Sequence, residues 1–173
     1  MSDNATHPEI AGTDSTATVR TAHDEVVGSE RASMRLLFDA SDTDAALSSL
    51  EVRLDVGADG AAPHYHRQSS EMFYVLDGEL QMLAGDQIMT VGAGSSLMVP
   101  RLMPHAFGAT PDSAARVLSV LTPGVERFDY FRLLARLQAN DATLEELAAA
   151  QGEFDNHFVD APEWWRERHA AAR

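Results

Sequence analysis

Two histidines, His64 and His66, alternate with Tyr65 in the middle of the chain. Glu71 follows five residues after the second histidine, and a third histidine, His105, lies further along. Three imidazoles and one carboxylate can form the inner shell of a divalent transition metal: Fe, Mn, Co, Ni, Cu or Zn rather than Ca or Mg. These residue types therefore predict a metal site in which Glu71 is a ligand, a catalytic general base, or both in sequence.

The spacing of these residues is compatible with strands. Side chains two residues apart on a strand project to the same face, about 6.6 Å apart, so His64 and His66 are expected to point inward while Tyr65 points outward. A polar stretch, residues 67–70, favours a turn after which Glu71 opens the next strand. The alternative is histidines without a metal, which we favour for the remaining four: His7, His23, His157 and His169.

Four apolar side chains lie close in sequence to the proposed ligands, namely Phe73, Val75, Met98 and Phe107. Together they predict the walls of a pocket for a flat, largely apolar molecule. The alternative is that they belong to the ordinary core of the domain.

The surrounding chain indicates short strands. From Ser33 to Thr122 apolar and polar residues alternate with a period of mostly two, interrupted by glycine-containing turns. The pair Asp77-Gly78, flanked by apolar runs, predicts a hairpin turn. Strands at such regular spacing predict an all-β sandwich or antiparallel barrel.

The C-terminal part changes to helical spacing. Apolar residues recur every three or four positions from Val125 to Leu137, which predicts a helix that covers the barrel or joins a dimer. Thr143-Leu144-Glu145-Glu146 has the form of a capping box that opens a short second helix. Residues from Asp160 onward could start a last helix that carries Trp164 and Trp165.

We expect three parts of the chain: a disordered polar arm (residues 1–18), a β-barrel (19–122) and a helical extension packed on the barrel (123–173). The length of 173 residues and the 45% hydrophobic content are typical of one globular domain. The polar N-terminus lacks the pattern of a signal peptide, and no window is apolar enough for a membrane span. We therefore expect a cytoplasmic protein.

The composition excludes several classes of chemistry. The chain contains no cysteine, so thiolate ligands, disulfides and cysteine nucleophiles are excluded. All 13 basic residues are arginine, so a lysine Schiff base is excluded. The net charge of −14 argues against nucleic-acid and anionic-membrane partners. A small-molecule substrate and a homodimer are the partners we expect.

The pattern resembles the cupin superfamily between Val52 and Leu121. The first cupin motif matches a glycine at 57 or 60, then His64, His66, Glu71 and Gly78, and the second matches Gly94, Pro100 and His105. Two positions of the second motif depart from the family: Leu102 replaces a glycine and Ala109 an asparagine. The resemblance implies a double-stranded β-helix, or jelly roll, with His64, His66, Glu71 and His105 as metal ligands.

Within the superfamily the chain is similar to quercetinase-type monocupins and to single-domain cupins of secondary-metabolite pathways. This likeness implies an oxidoreductase of the dioxygenase type that acts on an aromatic or polyketide-like molecule. A non-redox isomerase, cyclase or decarboxylase is the first alternative, and a non-catalytic binding cupin is the second.

Overall fold

The computed structural model describes residues 17–21 and 24–170, within which the chain forms ten strands, three α-helices and a short 3-10 helix (Ala40–Asp42). Most of the predicted N-terminal arm lies outside these residues. The strands are β1 (Val26–Gly28), β2 (Ala32–Phe38), β3 (Ser48–Leu54), β4 (His64–Tyr65), β5 (Ser70–Ala84), β6 (Gln87–Gly92), β7 (Ser96–Val99), β8 (His105–Ala109), β9 (Ala115–Thr122) and β10 (His157–Phe158). The helices are α1 (Phe128–Gln138), α2 (Leu144–Ala150) and α3 (Pro162–Ala170).

The described strands form one antiparallel sheet that curls around a common core. Their order is β1-β2-β3-β9-β5-β8-β4-β10, and β6 and β7 also pair with β5. Alternating side chains of β3, β5 and β9 face inward, among them Val52, Val75 and Val117. The all-β fold with a helical tail, predicted from the alternation, is confirmed.

The hairpin predicted at Asp77-Gly78 is wrong, because both residues lie inside the 15-residue strand β5. The register of β5 against β9 shifts between Val75 and Asp77, which is a bulge. Gly78 has a φ of 70°, and a Cβ there would collide with the carbonyl of Ala114. The two residues therefore bend a continuous strand, whose first half pairs with β9 and whose second half pairs with β8.

The helices of the tail form where the sequence predicts them. The apolar stripe gives α1, which buries Tyr130 and Phe131 against the sheet core. The capping box of α2 is present, with Thr143 and Glu146 each accepting from the other's backbone N–H. Trp164 of α3 is 1% exposed and packs in a second apolar cluster. No helix in the described ranges is long and apolar enough to cross a membrane.

The tail also returns to the sheet. Strand β10 pairs with β4, so that His157 lies opposite Tyr65 and the two rings stack. This pairing brings the loop before β10 beside the histidine segment, which the spacing of the sequence does not predict.

Candidate metal centre

The structure brings together the four side chains that the sequence singles out. His64 lies on β4 and directly opposite His105 of β8, while Glu71 is the second residue of β5. His66 follows β4, and all four residues are buried. One potential ligand atom from each residue lies within 4.8 Å of the other three. A cluster of three imidazoles and one carboxylate at this separation fits a divalent metal.

Backbone carbonyls fix the orientation of the three imidazoles. In His64, Nδ1 lies 2.7 Å from the carbonyl oxygen of Ala62. In His66, the Nδ1 partner is the carbonyl oxygen of Asp155 at 2.6 Å. In His105, it is the carbonyl oxygen of Met103 at 3.0 Å. A carbonyl oxygen can only accept, so each Nδ1 carries a proton. An imidazole anchored through Nδ1 offers Nε2 as its metal-binding atom, and in His66 and His105 this atom lies beside the Glu71 carboxylate.

Glu71 is held from both sides of its carboxylate. Oε2 lies 3.0 Å from Nε2 of His66 and 2.9 Å from Nε2 of His105. On the other side, the Ser119 hydroxyl donates to Oε1 at 2.6 Å. The serine therefore orients the carboxylate and leaves Oε2 directed at the imidazoles.

The electrostatics of His64 and Glu71 favour the forms that a metal requires. Burial, together with the neighbouring His105 and His66, holds the pKa of His64 well below its usual range, so this imidazole stays neutral. Burial opposes ionisation of Glu71, but hydrogen bonds and charge from His105 and His66 outweigh it and hold the pKa of Glu71 well below its usual range. Neutral imidazole and ionised carboxylate are the forms that bind a cation.

Asp155 of the tail organises the loop between β4 and β5. Its carboxylate accepts the backbone N–H groups of Arg67 at 2.7 Å, Gln68 at 2.9 Å and Ser69 at 3.3 Å. Its carbonyl oxygen accepts from Nδ1 of His66. One residue from the C-terminal region thus fixes both the turn and one of the candidate ligands.

The two departures from the second cupin motif have little effect on the cluster. Leu102 adopts a left-handed φ of 66° and its N–H donates to the His66 carbonyl at 2.8 Å, so the loop keeps a conformation that suits glycine. Its side chain is 64% exposed. Ala109 is fully buried on β8 and contributes no polar group.

A cavity of about 460 Å³ opens beside the cluster, and His64, His66 and Glu71 form part of its wall. Much of the remaining wall is apolar and comes from β2, β3, β8 and the helical tail. These residues include Met34, Leu50, Val52, Leu54, Phe107, Phe131, Leu134 and Leu147. The tail therefore covers the barrel and also shapes the cavity.

The four predicted pocket residues fall in different places. Phe107 lines the cavity. Phe73 and Val75 are buried in the core behind it, with the Phe73 ring 6.1 Å from that of His105. Met98 is 55% exposed, because its neighbour Val99 takes the inward position opposite Glu71. The larger part of the wall comes from strands and helices distant in sequence.

Sequence reasoning missed three polar residues at the site: Ser119, Arg127 and Asp155. Ser119 carries a usable signal, because it stands between Val117 and Leu121 on the inward face of β9. Arg127 and Asp155 lie in irregular segments, where no periodicity indicates which way a side chain points.

One family model matches the segment that contains this cluster. Residues 50–121 match the sequence model of the Cupin_2 family, described as the cupin domain. The match covers less than half of the chain and includes all four clustered side chains.

Individual proteins resemble this chain only over part of its length or at low sequence identity. Over 60 residues the chain is 35% identical to the polyketide synthase CurC of Streptomyces cyaneus, and the alignment covers 35% of this chain but only 39% of that protein. The fold is similar to the polyketide cyclase RemF from Streptomyces resistomycificus, with a TM-score of 0.52 and 23% identity over 63% of this chain and 80% of that one. It is also similar to a predicted oxalate decarboxylase from Thermotoga maritima, with a TM-score of 0.54 and 18% identity over 61% and 98% of the two chains.

Proposed function

We propose that this protein is a metal-dependent cupin enzyme that acts on a small, flat, largely apolar molecule of aromatic or polyketide-like structure. The observation that supports the proposal most strongly is that a potential metal site and an apolar cavity lie side by side. A buried cluster of three imidazoles and a carboxylate lies against a cavity that is otherwise largely apolar, and His64, His66 and Glu71 form part of its wall. Such a cavity binds an apolar ring system and presents its polar edge to the cluster.

His64, His66, His105 and Glu71 are the residues that would hold the ion. A divalent metal bound there supplies Lewis acidity, which favours loss of a proton from a substrate hydroxyl beside a carbonyl. Four protein ligands would leave the ion able to bind the substrate or O2 as well.

Glu71 is the group that we assign to the proton transfer. Oε1 is held by Ser119, while Oε2 lies on the side of the imidazole cluster, so Oε2 is the atom that we assign to accept the substrate proton. The lowered pKa keeps the carboxylate ionised before substrate binds. The apolar walls exclude water from the resulting enolate and prevent its rapid reprotonation by solvent.

Two fates of the enolate distinguish two reaction classes. The likeness to a protein named polyketide synthase supports a non-redox cyclisation or isomerisation of a polyketide-like chain. The open positions of a three-histidine, one-carboxylate site support reaction with O2, which is dioxygenase chemistry of the quercetinase type.

An oxygen electrode combined with product mass spectrometry separates the two classes. The protein is loaded in turn with Fe, Mn, Co, Ni and Zn and is given a panel of flavonols and poly-β-ketone-derived phenols. Product of unchanged mass, or of a mass reduced by water, without O2 consumption would indicate the non-redox class. Product that gains both atoms of O2 would indicate a dioxygenase. A His105→Ala variant, which lacks one of the four candidate ligands, is the control. Absence of any metal-dependent product across the panel would contradict the proposal.

A further inference from the structure

Arg127 is a buried cation at the cavity that the proposed metal chemistry does not use. It lies between β9 and α1 and outside the segment that matches the cupin domain. The residue is 2% exposed and lines the cavity together with His66 and Glu71. A buried guanidinium is costly unless its charge and its N–H groups are satisfied.

The backbone of Arg127 is firmly anchored. Its N–H donates to Oδ1 of Asp39 at 2.8 Å, and the N–H of Phe128 donates to Oδ2 of the same carboxylate at 3.1 Å. Asp39 thereby caps the N-terminus of α1, which has no capping side chain of its own. The arginine side chain thus starts from a fixed position at the cavity wall.

Most of the guanidinium donors have no acceptor. Nη2 donates to the Asp155 carbonyl at 3.3 Å, and it lies 3.1 Å from Nδ1 of His66, which itself carries a proton. Nε is fully buried without a hydrogen-bond partner within the described part of the chain. Nη1 is not fully buried, and it makes no hydrogen bond to the described residues. A buried donor without a partner, such as Nε, is rare in native proteins and calls for an explanation.

The neighbouring carboxylates offset this charge without taking up all of its N–H groups. Oδ2 of Asp155 forms an ion pair with Nη2 at 3.8 Å, but the Asp155 carboxylate already accepts three backbone N–H groups. Glu71 is occupied by Ser119 and two imidazoles. Nη1 therefore keeps N–H groups without an acceptor on a positive group that lines the cavity, which favours an oxygen ligand that carries negative charge.

We infer that Arg127 binds a carboxylate of the substrate, so that the cavity selects acidic aromatic or polyketide-like molecules over neutral ones. This inference rests on the proposed function only in taking the cavity as the substrate site. The carboxylate accepts from the free guanidinium N–H groups while the apolar body of the molecule contacts the sheet and the tail. Arg127 is thereby a specificity-determining residue.

The test compares binding of 3-hydroxy-2-naphthoate with that of its neutral isostere, 3-hydroxy-2-naphthamide, followed by naphthol fluorescence. In the wild-type protein we expect the carboxylate to bind at least about tenfold more tightly than the amide. In Arg127→Gln this preference is expected to disappear while the metal content stays unchanged. Arg136→Gln, on the exposed face of α1, is the matched control and keeps the preference.

A conservative variant separates ligand binding from a structural role. Arg127→Lys keeps the positive charge and is expected to retain part of the carboxylate preference, whereas a purely structural arginine predicts equal loss in both variants. Equal loss, retention of the preference in Arg127→Gln, or no preference in the wild-type protein would each overturn the inference. Because binding is measured without turnover, failure of the proposed reaction leaves this result unaffected.

Discussion

Ser119 acts on the candidate metal centre through Glu71 and not by touching the ion itself. Its hydroxyl is the donor to Oε1, and it reaches the carboxylate from the neighbouring strand β9. Groups that orient metal ligands affect affinity because they reduce the freedom that the ligand must lose on binding. The strength of the site therefore depends on a residue that is not itself a ligand.

Replacing Ser119 by alanine is expected to weaken metal binding by about 10- to 100-fold. The Glu71 carboxylate would lose its positioning donor while all four ligand side chains remain. A competition titration against a chromophoric chelator measures the change. Ser96→Ala, at an exposed position of β7, is the control. Equal affinity in the Ser119 variant and the wild type would show that the hydroxyl does not position the carboxylate.

Leu102 is the residue at which the second motif conflicts most with backbone preference. A left-handed conformation is costly for leucine and free for glycine. Because the side chain is exposed, Leu102→Gly loses little packing and is expected to raise the free energy of unfolding by about 1 kcal/mol. Urea denaturation measures it. Leu144→Gly, at an exposed helical position, should instead be destabilising. Destabilisation of both variants would contradict the assigned conformation.

At the scale of elements, the local sequence pattern predicts the secondary structure of short segments. It does not predict how segments distant in sequence pair with one another. Alternation and the capping box predict the strands and helices. Asp77-Gly78 has the composition of a hairpin, yet pairing with β9 and β8 carries β5 straight through it. The four clustered side chains were found because they sit within two short motifs. Ser119 lies 48 residues from Glu71 in the chain, and Asp155 lies 89 residues from His66. Only the tertiary fold brings these pairs together.

The loop between β4 and β5 depends on Asp155 for its conformation. Asp155→Ala removes the acceptor of three backbone N–H groups and is expected to lower the free energy of unfolding by about 3 kcal/mol. Metal affinity should fall with it, because His66 and Glu71 flank this loop. Chemical denaturation and the chelator titration measure the two effects. Asp160→Asn is an exposed control, and an Asp155 variant that is as stable as this control would refute the role.

At the scale of the whole molecule, the C-terminal tail completes the barrel. It contributes helices to the cavity wall, Asp155 to the metal centre, and Arg168 to the strands at the far side. Arg168 is 8% exposed. Its guanidinium donates to Asp59, to Gln81 and to the carbonyl oxygens of Gly57, Ala58 and Ala109. The predicted homodimer stays a prediction.

This network predicts that the tail and the sheet unfold together. Arg168→Met leaves buried carbonyl groups without donors and is expected to destabilise the protein by about 3 kcal/mol. Arg166→Met, on the exposed face of the same helix, is expected to have almost no effect. Thermal unfolding followed by circular dichroism compares the pair. Equal melting temperatures would mean that α3 is not coupled to the strands.

The metal content of purified variants tests the central claim most directly. Elemental analysis of the wild-type protein is expected to find about one divalent transition metal ion per chain. His64→Ala and His105→Ala should each lose most of it, because the ion would keep too few ligands. His169→Ala, a histidine that stacks on Trp165 outside the cluster, should retain it. Unchanged metal content in both His64→Ala and His105→Ala would contradict the assignment of this cluster as a metal centre.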